Sequence, residues 1–166
     1  MYQKIKRRIN QLILPLSAGS QQSHPDDLIE TPFLDAAASI RLLTFNIQVG
    51  ISTSSYRHYL TKSWQHILPH RKRQENLDKI AAFLNDYDMV ALQEVDGGSI
   101  RSGFVNQVEY LAAEASFPFW YQQLNRNFGP VAKHSNGLLS RYRPFQVDEY
   151  GLPGRIPGRG VILAQY

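Results

Sequence analysis

An α/β layered domain with a mixed sheet is what this sequence predicts, and three observations carry that reading. Two short apolar runs, "IRLLTFNI" (40–47) and "DMVALQEVD" (88–96), end in polar residues. Each is followed by a segment with helical periodicity. After the second such segment only strand-like pieces remain, with no internal repeat, so a β-α-β-α start gives way to successive strands.

Residues 1–38 read as a basic amphipathic extension and linker, and residues 39–166 as the domain. In "MYQKIKRRINQLILPLSAGS", Ile5, Ile9, Leu12 and Leu16 fall at helical spacing, with Lys4, Arg7, Arg8 and Gln11 elsewhere on the wheel. A short helix broken near Pro15 would fit a weak membrane-surface contact through residues 1–16; a frayed basic extension fits the same residues. Asn10 and Gln11 interrupt the apolar stretch of about 7–15 residues that a secretory signal needs. No run reaches the roughly 20 apolar residues of a membrane-spanning helix. The expected location is cytoplasmic, with membrane-peripheral contact as the alternative. "GSQQSHPDDLIETP" reads as linker, rich in Ser, Gln, Pro and Asp.

The first strand, "IRLLTFNI", is nearly continuous in apolar residues, the pattern of a strand covered on both faces. In "RKRQENLDKIAAFLNDY", Leu77, Ile80, Ala81 and Leu84 sit at i, i+3, i+4 and i+7, one face of a helix. "DMVALQEVD" repeats the design of the first strand before Gly97 and Gly98 break it. "GFVNQVEYLAAEA" reads as a second helix with Phe104, Val108, Leu111 and Ala115 on one stripe. "FPFWYQQL", "NGLLS", "FQVDEY" and "GVILAQY" follow as strands between loops rich in Gly, Pro, Asn and Arg.

Charge narrows the chemistry. The chain carries 18 Lys and Arg against 14 Asp and Glu, a net charge of +4 that favours anionic partners. It has no cysteine, which excludes a disulfide framework, a thiolate metal site and a cysteine nucleophile. Chemistry must therefore come from oxygen and nitrogen groups. Both of the first two strands end in a polar side chain beyond an apolar run, Asn46 after "LLTF" and Glu94 after "VALQ". If the strands are parallel neighbours joined by the helix between them, both side chains lie at the carboxyl edge of the sheet, where open α/β sheets bind ligands. A carboxylate there suits a cation, and a hard oxygen ligand with few neighbours suits Mg²⁺. Asn46, neutral at every pH, can orient a water or a phosphate oxygen.

At this point the residues carry a resemblance. "RLLTFNIQ", a helix, "DMVALQEVD", "NGLLSRYRPF" and "GRGVILAQY", in that order over about residues 40–166, resemble the first half of the endonuclease/exonuclease/phosphatase superfamily. That group includes exonuclease III-like repair nucleases, DNase I, bacterial sphingomyelinases and inositol polyphosphate phosphatases. The resemblance implies a four-layer α/β/β/α sandwich and hydrolysis of phosphoesters with a divalent cation, Mg²⁺ or Mn²⁺. It implies Glu94 as metal ligand and Asn46 as the active-site amide, with both counted as metal-site residues. In the family a catalytic His or Tyr, an Asp-x-Asn pair and an Asp-His pair follow the last of these motifs. The chain is accordingly read as an amino-terminal half, inert and poorly stable alone, with "NGLLS" and "GVILAQY" exposing apolar side chains and unpaired edges.

Three further residues are candidates for substrate contact. Gln48 shares a face with Asn46 if the chain stays extended. Arg73 closes a basic and aromatic loop, "YRHYLTKSWQHILPHRKRQ", able to hold phosphates and stack bases. Arg101, in a flexible loop "GGSIRSG", is the phosphate-clamp candidate. Taken alone, Glu94 also fits a turn cap and Asn46 a turn start; Asp96 reads as a turn residue, and His134 as an exposed loop histidine. Nucleic acid is the favoured partner and a phospholipid head group the alternative; a non-catalytic fragment that binds nucleic acid or phosphate is the reading from a different class.

Overall fold

A computed structural model describes residues 21–22, 39–48, 70–153 and 158–166 of the chain. The expected helix of residues 1–16, the 56–69 part of the basic loop, and His24, His58 and His66 lie outside the described residues.

Among the described residues, seven strands and two helices follow in the order β1 (Gln21–Gln22), β2 (Leu42–Asn46), α1 (His70–Leu84), β3 (Met89–Asp96), α2 (Gln107–Glu114), β4 (Phe119–Asn127), β5 (Lys133–Ser140), β6 (Gln146–Gly151) and β7 (Gly160–Gln165). A single 3₁₀ turn, Ile100–Ser102, lies between β3 and α2. Five strands make one mixed sheet in the order β1-β4-β5-β3-β2, and β6 and β7 make a second, antiparallel sheet. This is the α/β class the sequence predicts. Gln21 and Gln22 depart from the linker reading: they pair with Gln122 and Tyr121 at the edge of the main sheet.

Both helices cover one face of that sheet. Leu77, Ala81 and Leu84 of α1 meet Val108, Leu111 and Ala112 of α2 over Val90, Leu92, Val95 and Leu139, a continuous apolar core. Helix α2 approaches so closely that a Cβ on Gly137 would stand 2.8 Å from Val108 Cγ2. Phe104 is not on its apolar stripe, as the sequence suggested. The helix starts later, at the cap Asn106, whose Oδ1 accepts the Val108 and Glu109 N–H groups. Phe104 instead sits in the preceding loop at φ 65° and is 69% exposed.

The second sheet lies on the opposite face, with β7 over β4 and β5. That junction is polar: Gln123 Nε2 donates to the carbonyls of Tyr150 and Val161, and Asn136 Nδ2 to that of Gly160. Helices, main sheet and second sheet make three layers; a fourth, helical layer is not among the described residues. Strand β5, with "NGLLS", is not an unpaired edge, since β3 and β4 flank it and Leu139 is fully buried. Strand β2 is not covered on both faces either. It pairs at the sheet edge, Leu43 and Phe45 turn toward the core, and Leu42 on the other face is 67% exposed.

Arg141 closes the end of the sheet where β3 begins. Its guanidinium donates to the carbonyls of Asn85 and Tyr87 behind α1 and of Ala115 and Ser116 behind α2, and lies 4.5 Å above the Phe117 ring. A cation there satisfies carbonyls left over by both helix ends. The first Arg of "GLLSRYRPF", Arg141, is thus explained by the fold.

Candidate active site

The opposite end of the sheet gathers the candidate site residues. Strands β2 and β3 are parallel neighbours, as expected, with Asn46 in register with Gln93. That puts Asn46 and Glu94 at the same carboxyl edge, one residue apart in register.

Glu94 owes its exposure to a bulge. Leu92 pairs with Gly137 and Val95 with Ser135, so Gln93 and Glu94 together oppose Asn136 alone. Strict alternation would place Glu94 on the face of Val90 and Leu92, inside the helical core. The extra residue instead keeps Leu92 and Val95 both in the core and turns Glu94 out to solvent. Glu94 adopts φ 54°, the left-handed region that side-chain-bearing residues enter at a cost of about 1–2 kcal/mol. Backbone strain of this kind clusters at functional sites.

Asn46 ends its strand with a local turn: its Oδ1 accepts the Gln48 N–H at 3.0 Å. Gln48 itself has φ 47°. The chain is therefore no longer extended there, and the argument that placed Gln48 on the face of Asn46 does not hold. With Oδ1 engaged, the Asn46 amide presents its Nδ2 as a donor.

Asp96, two residues beyond Glu94, has a different task. It is buried, Oδ1 accepts the N–H groups of Gly98 and Ser99 and the Ser102 hydroxyl, and Oδ2 accepts the Ser99 hydroxyl. Its own N–H donates to Gln107 Oε1. Beneath the turn, Asn106 Nδ2 donates to Gln122 Oε1 and Gln122 Nε2 to Ser135 Oγ. A Cβ at Gly97 would overlap Gln122 Nε2, so a side chain there would push Gln122 out of its hydrogen bonds.

This network makes the "GGSIRSG" loop an ordered turn rather than a flexible one. Ser99 caps the 3₁₀ turn that carries Arg101. Arg101 Nη1 lies 3.0 Å from His134 Nε2. His134 is not an exposed loop residue: it is half-buried in β5, opposite Asp96 on one side and Arg126 on the other. Burial, then the positive charge of Arg101, push its imidazole below the usual histidine range, Arg126 adding to this and Asp96 and Glu94 opposing it. Sequence reading missed His134 because the strand was begun at Asn136. The small residues Ser135 and Gly137 alternate with it, and extending that period-2 pattern backward would have reached it. Arg73 lies in the first turns of α1 and is buried, at 7% exposure, instead of lining a solvated loop.

For a divalent cation, the described residues at this carboxyl edge of β2 and β3 offer Glu94 as an exposed carboxylate, beside the strand end that carries Asn46. Asp96 is consumed by its turn, and no group of three His, Asp or Glu forms a metal cluster among the described residues. One carboxylate fits Mg²⁺, which binds through one or two carboxylates together with waters and substrate phosphate.

The family model described as "Endonuclease/Exonuclease/phosphatase family" matches residues 43–164. No curated protein matches the chain. A solved structure of an endonuclease/exonuclease/phosphatase family protein from Leptotrichia buccalis C-1013-b aligns with a TM-score of 0.46 and 13% sequence identity. The alignment covers 77% of this chain and 54% of that one, so the chain spans about half the length of the solved protein. On the match over residues 43–164, the chain belongs to the endonuclease/exonuclease/phosphatase family, a superfamily of phosphoesterases and nuclease-like hydrolases.

Proposed function

We propose that this site serves a divalent-metal-dependent, nuclease-like phosphodiesterase that works by in-line attack of water on phosphorus. Glu94 would be the metal ligand, and Asn46 the amide that steers phosphate and water. The observation that carries the reading is the bulge at Glu94, a strained carboxylate turned out of the core beside Asn46. Mg²⁺ or Mn²⁺, when bound, would neutralise phosphate charge and stabilise the leaving oxygen. Asn46 Nδ2 can donate to a phosphate oxygen without competing for the metal, and Arg101 can meet a second oxygen. Among the described residues none is placed to take a proton from water, since His134 Nε2 is engaged by Arg101 and Asp96 is enclosed.

Nucleic acid is the substrate favoured by the net charge and by Arg101 and Arg126 beside the site. A phospholipid is the second reading, favoured by the exposed Ile100, Phe104, Phe128 and Val131 in the two loops around Arg101. Binding that falls steeply with salt supports nucleic acid; salt-independent vesicle binding supports lipid.

The metal assignment is testable without turnover. Mn²⁺ added to the chain should broaden the NMR amide signals of residues 46–48 and 93–96, and Glu94→Gln should abolish that broadening. Equal broadening in the variant overturns the assignment.

A further inference from the structure

Arg101 is held at both ends. Its backbone rides on a turn fixed by the buried Asp96 carboxylate and capped by Ser99, and latched to the β4–β5 loop by the Ile100 N–H donating to the Pro130 carbonyl at 2.8 Å. Its tip meets His134 Nε2 at 3.0 Å. Arginine can only donate, so Nε2 is the unprotonated acceptor and the imidazole is neutral, with its proton on Nδ1. The ring is fixed in turn by β5 pairing on both sides and by the edge-to-face contact of Phe128, 6.0 Å between centroids.

The charge of Arg101 meets no carboxylate among the described residues. Asp96, in the same turn, has both oxygens occupied by Gly98, Ser99 and Ser102. A neutral imidazole orients a guanidinium without neutralising it, and His134 uses only one of its N–H donors. The rest of the planar fork remains for an anion, and paired N–H donors match two phosphate oxygens. Arg126, opposite His134, adds positive charge to the same corner of the sheet.

We propose that Arg101 and His134 form a pre-organised subsite for a phosphoryl group beside Glu94, in which Arg101 binds the anion and His134 is the positioning residue that aims the guanidinium. The subsite deepens the phosphoester reading and rests on it for the identity of the ligand. Pre-organisation is the source of its affinity, because a fixed arginine loses less rotamer freedom on binding than a solvated one.

The test uses the 166-residue chain, metal-free in EDTA, with inorganic phosphate as probe and NMR as readout, so that it is independent of Glu94 and of hydrolysis. Phosphate should shift the Arg101 Nε–Hε and His134 ring signals of the wild type together. Arg101→Lys, which keeps the charge and loses the fork, should weaken binding about tenfold. His134→Ala should weaken it about fivefold or more, and His134→Gln, which restores an acceptor, should recover it to within about twofold. A purely structural histidine would not give that rescue. Wild-type affinity in His134→Ala, or no rescue by His134→Gln, overturns the positioning role. Should His134→Ala fail to fold, the comparison of wild type, His134→Gln and Arg101→Lys decides: wild-type affinity in Arg101→Lys overturns the subsite. No Mn²⁺ broadening in the wild type, with phosphate binding intact, would instead count against the metal reading alone.

Discussion

Ser99 grips Asp96 with both of its donors, the N–H reaching Oδ1 and the hydroxyl reaching Oδ2, each at 2.7 Å. Two residues before Asp96, Glu94 is exposed and its carboxylate makes no hydrogen bond among the described residues. Two carboxylates of one strand therefore do opposite work. Asp96→Ala should lower the unfolding free energy by about 3 kcal/mol or more, because it strands several buried donors at once. Glu94→Gln should change it by less than about 0.5 kcal/mol. Urea denaturation of the two variants checks this, and comparable losses would contradict the division of roles.

Glu94 also carries strain that a glycine would not. At φ 54° the left-handed backbone costs about 1–2 kcal/mol for a side-chain-bearing residue, against the roughly 0.5–1 kcal/mol entropic cost of glycine. Glu94→Gly is expected to be as stable as the wild type or more stable by up to about 1 kcal/mol, while losing metal binding. A clear loss of stability would mean that the carboxylate supports the fold.

Arg141 should be irreplaceable by lysine. It donates to four carbonyls behind both helices and stacks on Phe117. A lysine ammonium cannot reach these directions together. Arg141→Lys should cost most of what Arg141→Ala costs, about 2–3 kcal/mol, read from thermal or urea unfolding.

Gly137 and Val108 should be coupled. Gly137→Ala places a methyl 2.8 Å from Val108 Cγ2 and should cost about 1–3 kcal/mol. In the Val108→Ala background the same change should cost less, since the opposing methyls are gone. A double-mutant cycle with no coupling would show that α2 shifts to accommodate the methyl.

Tyr110 of α2 donates its hydroxyl to Asp78 of α1, and desolvation followed by that hydrogen bond push its pKa up from 10.0 to about 12. A folded pKa above the unfolded one means that the native state holds the proton more tightly. The contribution is thus fully present below pH 10 and lost as pH rises through about 12. Wild type should lose stability over that window more steeply than Tyr110→Phe, and parallel alkaline unfolding curves would refute the link.

Much of the fold was legible because burial leaves a local periodic mark. Leu77, Ala81 and Leu84 announce their helix, and the apolar runs ending in Asn46 and Glu94 announce two parallel strands whose carboxyl ends meet. The Phe104 error came from extending that periodicity past a boundary set by a cap, Asn106, which outweighed the apolar stripe.

What the sequence by itself determined is therefore which segments are helix or strand and which two polar residues share a sheet edge, because period and side-chain type act over a few neighbouring residues. Tertiary structure alone decided how those residues present themselves. The bulge that exposes Glu94 is a mismatch in register with Ser135 and Gly137, more than 40 residues away. The Arg101–His134 contact joins residues 33 apart, through a turn fixed by Asp96 and a strand flanked on both sides. Register and hydrogen-bond networks are relations between distant segments, and no local pattern records them until the chain has closed.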